Sequence, residues 1–389
     1  MQNAVETTVS ILEKLVSFKS LSGQTNLDLI SYVLDYLDGC GIQSELSHDE
    51  TGLRANLFAT IGPKADGGVA LSGHTDVVPV DGQNWTLPAY ELTRKDDRLF
   101  GRGSVDMKGF LACALAMVPS FQRAALQRPI HLALSFDEET GSIGAPILSR
   151  QIVDSGMKPA AVIVGEPTEM KVIAGHKGGY EMHTHFTGIA GHSSDPRRGV
   201  NAIHYAARFI VFLEKLSAEF AQNPPADSAF DPPQSTLNIG TIRGGAGRSI
   251  IAEDCALDWE LRITPPDDGK ETMKRINSFL TDVLLPEMQK NFPTADIVTT
   301  TESEYPGLAF DPGSTALSVV QQISGENTFT TVPFGTDAGC FYRDGLPTVV
   351  FGPGSIEQAH KPDEYIELSQ IKACLKFLQK LGDWQSGPP

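Results

Sequence analysis

Short, β-branched apolar runs that close on a glycine or a charged side chain recur along this chain. Gly68-Val69-Ala70-Leu71-Ser72-Gly73 precedes His74, Ile130-His131-Leu132-Ala133-Leu134-Ser135-Phe136 precedes Glu138, and Ala160-Ala161-Val162-Ile163-Val164 precedes Glu166. Continuous apolar runs of this length are expected as strands buried on both faces, the habit of an α/β sheet. Helical spacing at 5–18, 27–37 and 110–118 falls between them, so helix and strand alternate as far as about Gly175.

From Gly179 the texture changes. Strands are expected at 180–186, 235–242, 255–263 and 295–301, and helices at 201–220 and 268–289, the first with Ile203, Ala207, Ile210 and Leu213 on one stripe. The order β-α-β-β-α-β predicts a ferredoxin-like insert, with the Pro-rich stretch 223–233 as a surface loop inside it. After Tyr305 the α/β texture returns, with a helix at 314–323 and a strand at 348–351. The expected architecture is therefore a mixed-sheet α/β domain flanked by helices, made of 1–178 and 305–389. An insert at 179–304 could move against it as a lid.

In open α/β sheets ligands sit beyond the carboxyl ends of the strands, so side chains distant in sequence converge there. His74, Asp76, Glu138, Glu139 and Glu166 lie just past strand ends, Asp106 follows the loop Gly101-Arg102-Gly103-Ser104-Val105, and His360 follows the run at 348–351 by a longer loop. Imidazoles and carboxylates gathered in this way have the make-up of a two-metal hydrolytic site. His74-Thr75-Asp76 places both functional side chains on one side of an extended segment, where Asp76 can accept the second ring N–H of a metal-bound imidazole. Adjacent carboxylates at Glu138-Glu139 repel unless a cation or open solvent absorbs the charge, and suit a division between ligand and general base. Taken singly, each is more readily a surface turn or a solvated acidic loop; their joint placement favours a site.

A chain of 389 residues with 41% apolar content supports more than one packed unit, and a net charge of −17 disfavours nucleic acid and anionic membranes as partners. No apolar stretch approaches ~18 residues and the N-terminus has no signal-peptide pattern, so a soluble cytoplasmic protein is expected. Cys40, Cys113, Cys255, Cys340 and Cys374 are widely spaced without a C-x-x-C pair, which indicates neither disulfides nor a thiolate site. A phosphate loop fails at 243–249, where Ile242 stands at the first glycine and Arg248 at the lysine. His183-Thr184-His185 is expected at a solvent-facing strand edge without carboxylates at ligand spacing, His131 and His204 as core or helix-face residues, and His48 at the surface.

The segments SGHTDVVPVDGQNW, GRGSVDMKG, SFDEETGSIGA, GEPTEMKVIAGHKG, GIAGHSSDPRRGVNAI and FGPGSIEQAHKPDEYI, in this order, resemble the motifs of the metal-dependent aminoacylase, deacetylase and carboxypeptidase family with co-catalytic zinc ions. The resemblance spans essentially the whole chain, and the first and last segments look most like the branch that deacetylates acetylornithine. It implies that His74, Asp106 and Glu166 hold one metal, and Asp106, Glu139 and His360 the other. It further implies Asp76 as orienter of His74, Glu138 as general base, and His192 as a residue that reaches a partner subunit's active site, hence a homodimer formed through the insert. Imidazole and carboxylate ligands without thiolate suit Zn²⁺, two per subunit, with Co²⁺ or Mn²⁺ as substitutes.

The expected substrate is a small N-acyl amino acid, N²-acetyl-L-ornithine foremost. Other family chemistries (desuccinylation of N-succinyl-diaminopimelate, deacetylation of N-acetylcitrulline, dipeptide hydrolysis) and a catalytically silent binding protein are the alternatives. Arg248, Ser249, Arg262 and Thr336 are expected at the substrate. Ser249 departs from the family, which commonly has Asn there, and His176-Lys177 stands where the desuccinylase branch has paired arginines.

Overall fold

In the computed structural model, which describes residues 2–387, the apolar runs form the middle of a large mixed sheet. Its strands lie in the order Ser44–His48, Ala55–Ile61, Ile130–Ser135, Val69–His74, Ala161–Val164, Thr348–Val350, Val172–His176, Phe329–Val332. Ile130–Ser135, Val69–His74, Ala161–Val164 and Thr348–Val350 run parallel to one another, with His74 opposite Ser135 and Ser72 opposite Val164, while Ala55–Ile61 and Val172–His176 flank them antiparallel. Every residue of these strands is buried, which is why they read as unbroken apolar runs rather than alternating ones.

Helices Gln2–Ser17, Leu27–Gly39, Lys108–Arg123, Thr315–Ser324 and Leu368–Ser386 contribute to the main core, while Ala145–Asp154 and Ala338–Arg343 contribute to a smaller one. Lys108–Arg123 is buried along most of its length because it packs on both Gln2–Ser17 and Leu368–Ser386. The buried Lys108 ammonium satisfies carbonyls at the end of the first helix, donating to Leu15 O at 3.1 Å and Phe18 O at 2.9 Å.

The chain divides into two compact units, one formed by the residues up to His176 together with Leu308–Val332 and the residues from Thr336 onward, the other by Lys177–Gly307 with Pro333–Gly335. The second unit has an antiparallel sheet in the order Thr236–Gly244, Asp254–Ile263, Gly178–Thr187, Asp296–Tyr305. In Gly178–Thr187 and Asp254–Ile263 burial alternates, and the inward residues, among them Phe186, Leu257, Trp259 and Leu261, pack with Phe209, Leu213 and Ile276 of the helices Ala202–Gln222 and Lys270–Ser278. The connectivity is β-α-β-β-α-β.

The single helix expected over 268–289 is interrupted. Lys270–Ser278 passes into a π-helical stretch at Phe279–Leu284 and resumes as Leu285–Gln289, with Pro286 at its start. Proline lacks the N–H that an uninterrupted helix would use, so the wider turn precedes it. The segment 183–185 also differs from expectation: it lies on a central strand rather than an edge. Both histidines have carboxylate partners, His183 Nδ1 at 2.7 Å from Asp258 and His185 Nε2 at 2.6 Å from Asp254. The partners come from the neighbouring strand, a pairing that sequence spacing does not reveal.

Candidate metal centre

His74 is the last residue of its strand and is 1% exposed. Its Nδ1 is 3.0 Å from the backbone carbonyl of Asp76 and 3.5 Å from the Asp76 carboxylate. With Nδ1 turned to that carbonyl, Nε2 is the ring atom free to meet a cation, and it faces Asp106 Oδ1 at 3.2 Å and Glu166 Oε1 at 3.7 Å. Asp106 turns its other oxygen to the second imidazole: His360 Nε2 is 3.3 Å from Asp106 Oδ2 and 3.0 Å from Glu139 Oε2.

The supporting loops explain why these groups converge. Glu138 and Glu139 follow Ile130–Ser135, and their backbone N–H groups donate to Asp76 Oδ1 at 3.1 Å and Oδ2 at 3.3 Å. The Ser22 hydroxyl adds a bond to Asp76 Oδ2 at 2.7 Å. Asp137, in the same loop, accepts from Gly23 N and from the Arg54 guanidinium, so this stretch is not an open, solvated acidic turn. Glu166 is positioned by Gly165, whose close approach to Phe110 leaves 2.1 Å for a Cβ.

The electrostatics of the cluster are unfavourable as they stand. Burial, and then the neighbouring Asp106, Glu139 and Asp337, drive the Glu166 pKa well above the usual carboxylate range against the pull of His74. Glu138 is likewise raised, by burial first and then by Glu166, Glu139 and Asp337. Burial opposes charge on His74, but its bonds to Asp106 and Asp76 outweigh this and raise its pKa. For His360 the bonds to Asp106 and Glu139 lead, and the pKa rises to about 10.

Acidic groups this crowded, with imidazole nitrogens turned toward the same carboxylate oxygens, are the arrangement a bound cation relieves. Glu166 Oε1 is buried with no hydrogen-bond partner, and ligand atoms of His74, Asp106 and Glu139 lie within 4.8 Å of one another. The donor set, imidazole nitrogen and carboxylate oxygen, fits divalent metal ions.

Among the residues expected at the substrate, Thr336 belongs to the first unit; it is 2% exposed and its hydroxyl accepts the Ala338 N–H at 3.1 Å. The residue beside it, Asp337, escaped the sequence reading. It is buried, accepts the Ser135 hydroxyl at 2.6 Å and raises Glu138 and Glu166 by repulsion. Its own pKa is raised by burial to about 6.

His192, Arg248, Ser249 and Arg262 belong to the second unit. His192 is exposed, pairs with Ile250 across a short two-stranded ladder and bonds Ser194 Oγ through Nδ1 at 2.7 Å. Arg248 and Ser249 are exposed in the turn before Ile250. The Arg262 guanidinium is already engaged, by Glu260 at 2.6 Å and by the Tyr305 hydroxyl.

Comparison with known proteins accords with this geometry. Residues 70–383 match the model of peptidase family M20/M25/M40. An acetylornithine deacetylase of Shigella sonnei is 34% identical over 385 residues, covering 97% of each chain, and one of Photorhabdus laumondii is 33% identical over 96% of each. Among solved structures, the M20 family metallo-carboxypeptidase Sso-CP2 of Sulfolobus solfataricus superposes with a TM-score of 0.78 at 17% identity, covering 97% of this chain and 99% of that one. The aminopeptidase PepT of Bacillus cereus gives 0.73 at 19% identity, covering 98% and 99%. The imidazole and carboxylate cluster at the strand ends, the mixed sheet and these matches together make the chain a member of peptidase family M20/M25/M40, a metal-dependent hydrolase.

Proposed function

We propose that the chain hydrolyses the amide bond of an N-acyl amino acid, N²-acetyl-L-ornithine foremost, releasing acetate and L-ornithine for arginine synthesis in the cytoplasm. The observation that carries the two-metal part of the reading is the division of the Asp106 carboxylate, with Oδ1 toward His74 and Oδ2 toward His360. His74, Asp106 and Glu166 would hold one cation, and Asp106, Glu139 and His360 the other, with Zn²⁺ the best fit to these donors and Co²⁺ a substitute. When bound, such a pair supplies Lewis acidity to the amide carbonyl and to a water molecule.

The remaining work falls to the chain itself. Glu138 is not among the paired ligand atoms, and its backbone is fixed through Asp76, so its carboxylate is available to take the water's proton as the new C–O bond forms and to deliver it to the departing amine nitrogen. Asp76 holds the segment carrying both Glu138 and Glu139 and accepts from His74 through its main chain, setting base and ligand in register. Asp337 and Ser135, both buried and bonded to each other, would help to keep water from the base.

The second unit would serve as lid and dimerisation surface, bringing His192 to a partner's site as a donor to the developing oxyanion. Exposed Ile203 and Val211 on the helix Ala202–Gln222, and exposed Ile242 and Val298 on the outer strands, support an interface there. Arg248, Ser249 and Arg262 would meet the substrate's carboxylate, and Ser249 would set a preference different from that of an Asn. No helix among the described residues is long and apolar enough to cross a membrane. The acetyl-ornithine assignment rests on the two deacetylase relatives; comparing rates on N²-acetyl-L-ornithine, N-succinyl-LL-diaminopimelate and N-acetylcitrulline tests it.

A further inference from the structure

Asp106 and His360 stand on separate loops, yet a single hydrogen-bond network, buried at its centre, ties both backbones. Its centre is Glu364, which is 1% exposed and uses both carboxylate oxygens fully. Oε1 accepts the N–H groups of Val105 at 2.9 Å and Asp106 at 3.2 Å; Oε2 accepts the Gly103 N–H at 3.1 Å and the Arg102 guanidinium at 2.7 Å. Backbone N–H groups converging in this way form an anion-binding concavity, here filled by a side chain of the protein. Gly103 permits it, at φ +79° and with Val77 Cγ1 2.7 Å from where a Cβ would be.

The network continues to the other ligand. Arg102, also 1% exposed, donates to Gln83 Oε1 at 2.6 Å, and Gln83 Nε2 donates to the backbone carbonyl of His360 at 2.9 Å. The Trp85 indole N–H fixes Gln83 from the other side at 2.9 Å. His360 has φ +59°, a conformation few non-glycine residues adopt unaided, and the bond to its carbonyl helps to hold it.

We infer that Glu364, acting with Arg102 and Gln83, is a positioning residue for the second cation: it sets the separation of Asp106 and His360 and so the affinity of the site they share with Glu139. This rests on the two-cation reading above. Glu364 contacts Asp106 through the main chain only, and its oxygens are occupied by Gly103, Val105, Asp106 and Arg102, so it acts through the ligands rather than on substrate. The first site shares Asp106 but takes its other ligands, His74 and Glu166, from other strand ends, whereas the second site has two of its three ligands, Asp106 and His360, held by this network. Disturbing the network should therefore weaken the second metal-binding step more than the first.

The test is to equilibrate wild type, Glu364→Gln and Gln83→Ala in Zn²⁺ buffers of graded free concentration and count metal per chain by mass spectrometry. Glu364→Gln is expected to raise the half-saturation of the second step by about 10- to 100-fold and that of the first, which shares Asp106, by clearly less, while Gln83→Ala, whose bond is to His360, should weaken the second step more mildly and leave the first nearly unchanged. A merely structural role would weaken both steps equally, and that result, or two unchanged steps, overturns the inference. If Glu364→Gln does not fold, because it leaves the Arg102 charge buried without its partner, the half-buried Gln83 decides alone. A wild-type protein that takes up a single cation would instead strike the two-cation reading, and the inference with it.

Discussion

The Asp76 carboxylate accepts the backbone N–H of Glu138 at 3.1 Å, so the residue two places after a metal-ligand candidate holds the candidate base by its main chain. Replacing Asp76 with Ala removes this bond and those from Glu139 and Ser22. The expected result is a loss of about 10- to 100-fold in kcat or metal affinity. Asp76→Asn, which keeps one acceptor oxygen, should cost less; steady-state kinetics with metal analysis of both variants checks the order.

Glu138→Gln should lower kcat by roughly 10²- to 10⁴-fold while metal content and KM stay close to wild type, as removal of a proton-transfer group requires. Metal loss measured on the purified variant would show that Glu138 is a ligand instead, and would transfer the base role to another carboxylate.

Gly165→Ala places a Cβ 2.1 Å from the Phe110 ring, a contact neither the strand nor the buried ring can relieve cheaply. Overpacking of this kind costs about 1–3 kcal/mol. Because Glu166 follows directly, weaker metal binding should accompany the fall in urea midpoint; a destabilised variant with unaltered metal affinity would show that the strand yields without moving Glu166.

His131 offers a pH test away from the cluster. It is buried in Ile130–Ser135, bonds Thr60 through Nδ1 at 3.0 Å, and has no partner at Nε2. Burial lowers its pKa from 6.5 to about 4. Above pH ~6.5 the ring is neutral in both states; between ~6.5 and ~4 only the unfolded chain takes the proton, so stability falls by about 1.4 kcal/mol per pH unit, and the loss levels off below ~4. Relative to His131→Gln, wild type should lose about 2 kcal/mol more between pH 7 and pH 5. Urea unfolding at both values checks this, and equal losses would contradict it.

The parts of this molecule legible in the sequence are those whose signal is local. The strands ending at His74 and Ser135 are buried on both faces and read as apolar runs, and the side chains just beyond them, with Glu166, Asp106 and His360, do meet in one cluster. Arg98–Phe100 was silent because only Leu99 is buried, and Phe329–Val332 because, as an outer strand, it has no buried residue. Asp337 and Glu364 carry no local signal in the sequence: their importance comes from burial against Ser135 and against the N–H groups of Gly103, Val105 and Asp106, partners far away in sequence. Thr336 adjoins Asp337, and its hydroxyl accepts the Ala338 N–H at the start of the helix Ala338–Arg343.

The most direct test of the two-cation amidohydrolase reading is the initial rate on N²-acetyl-L-ornithine, beside N-succinyl-LL-diaminopimelate, with chelated protein before and after one and two equivalents of Zn²⁺. Ornithine release that depends on added metal and exceeds desuccinylation is the predicted result. Failure to bind metal, or release of ornithine undiminished by chelation, would contradict the account.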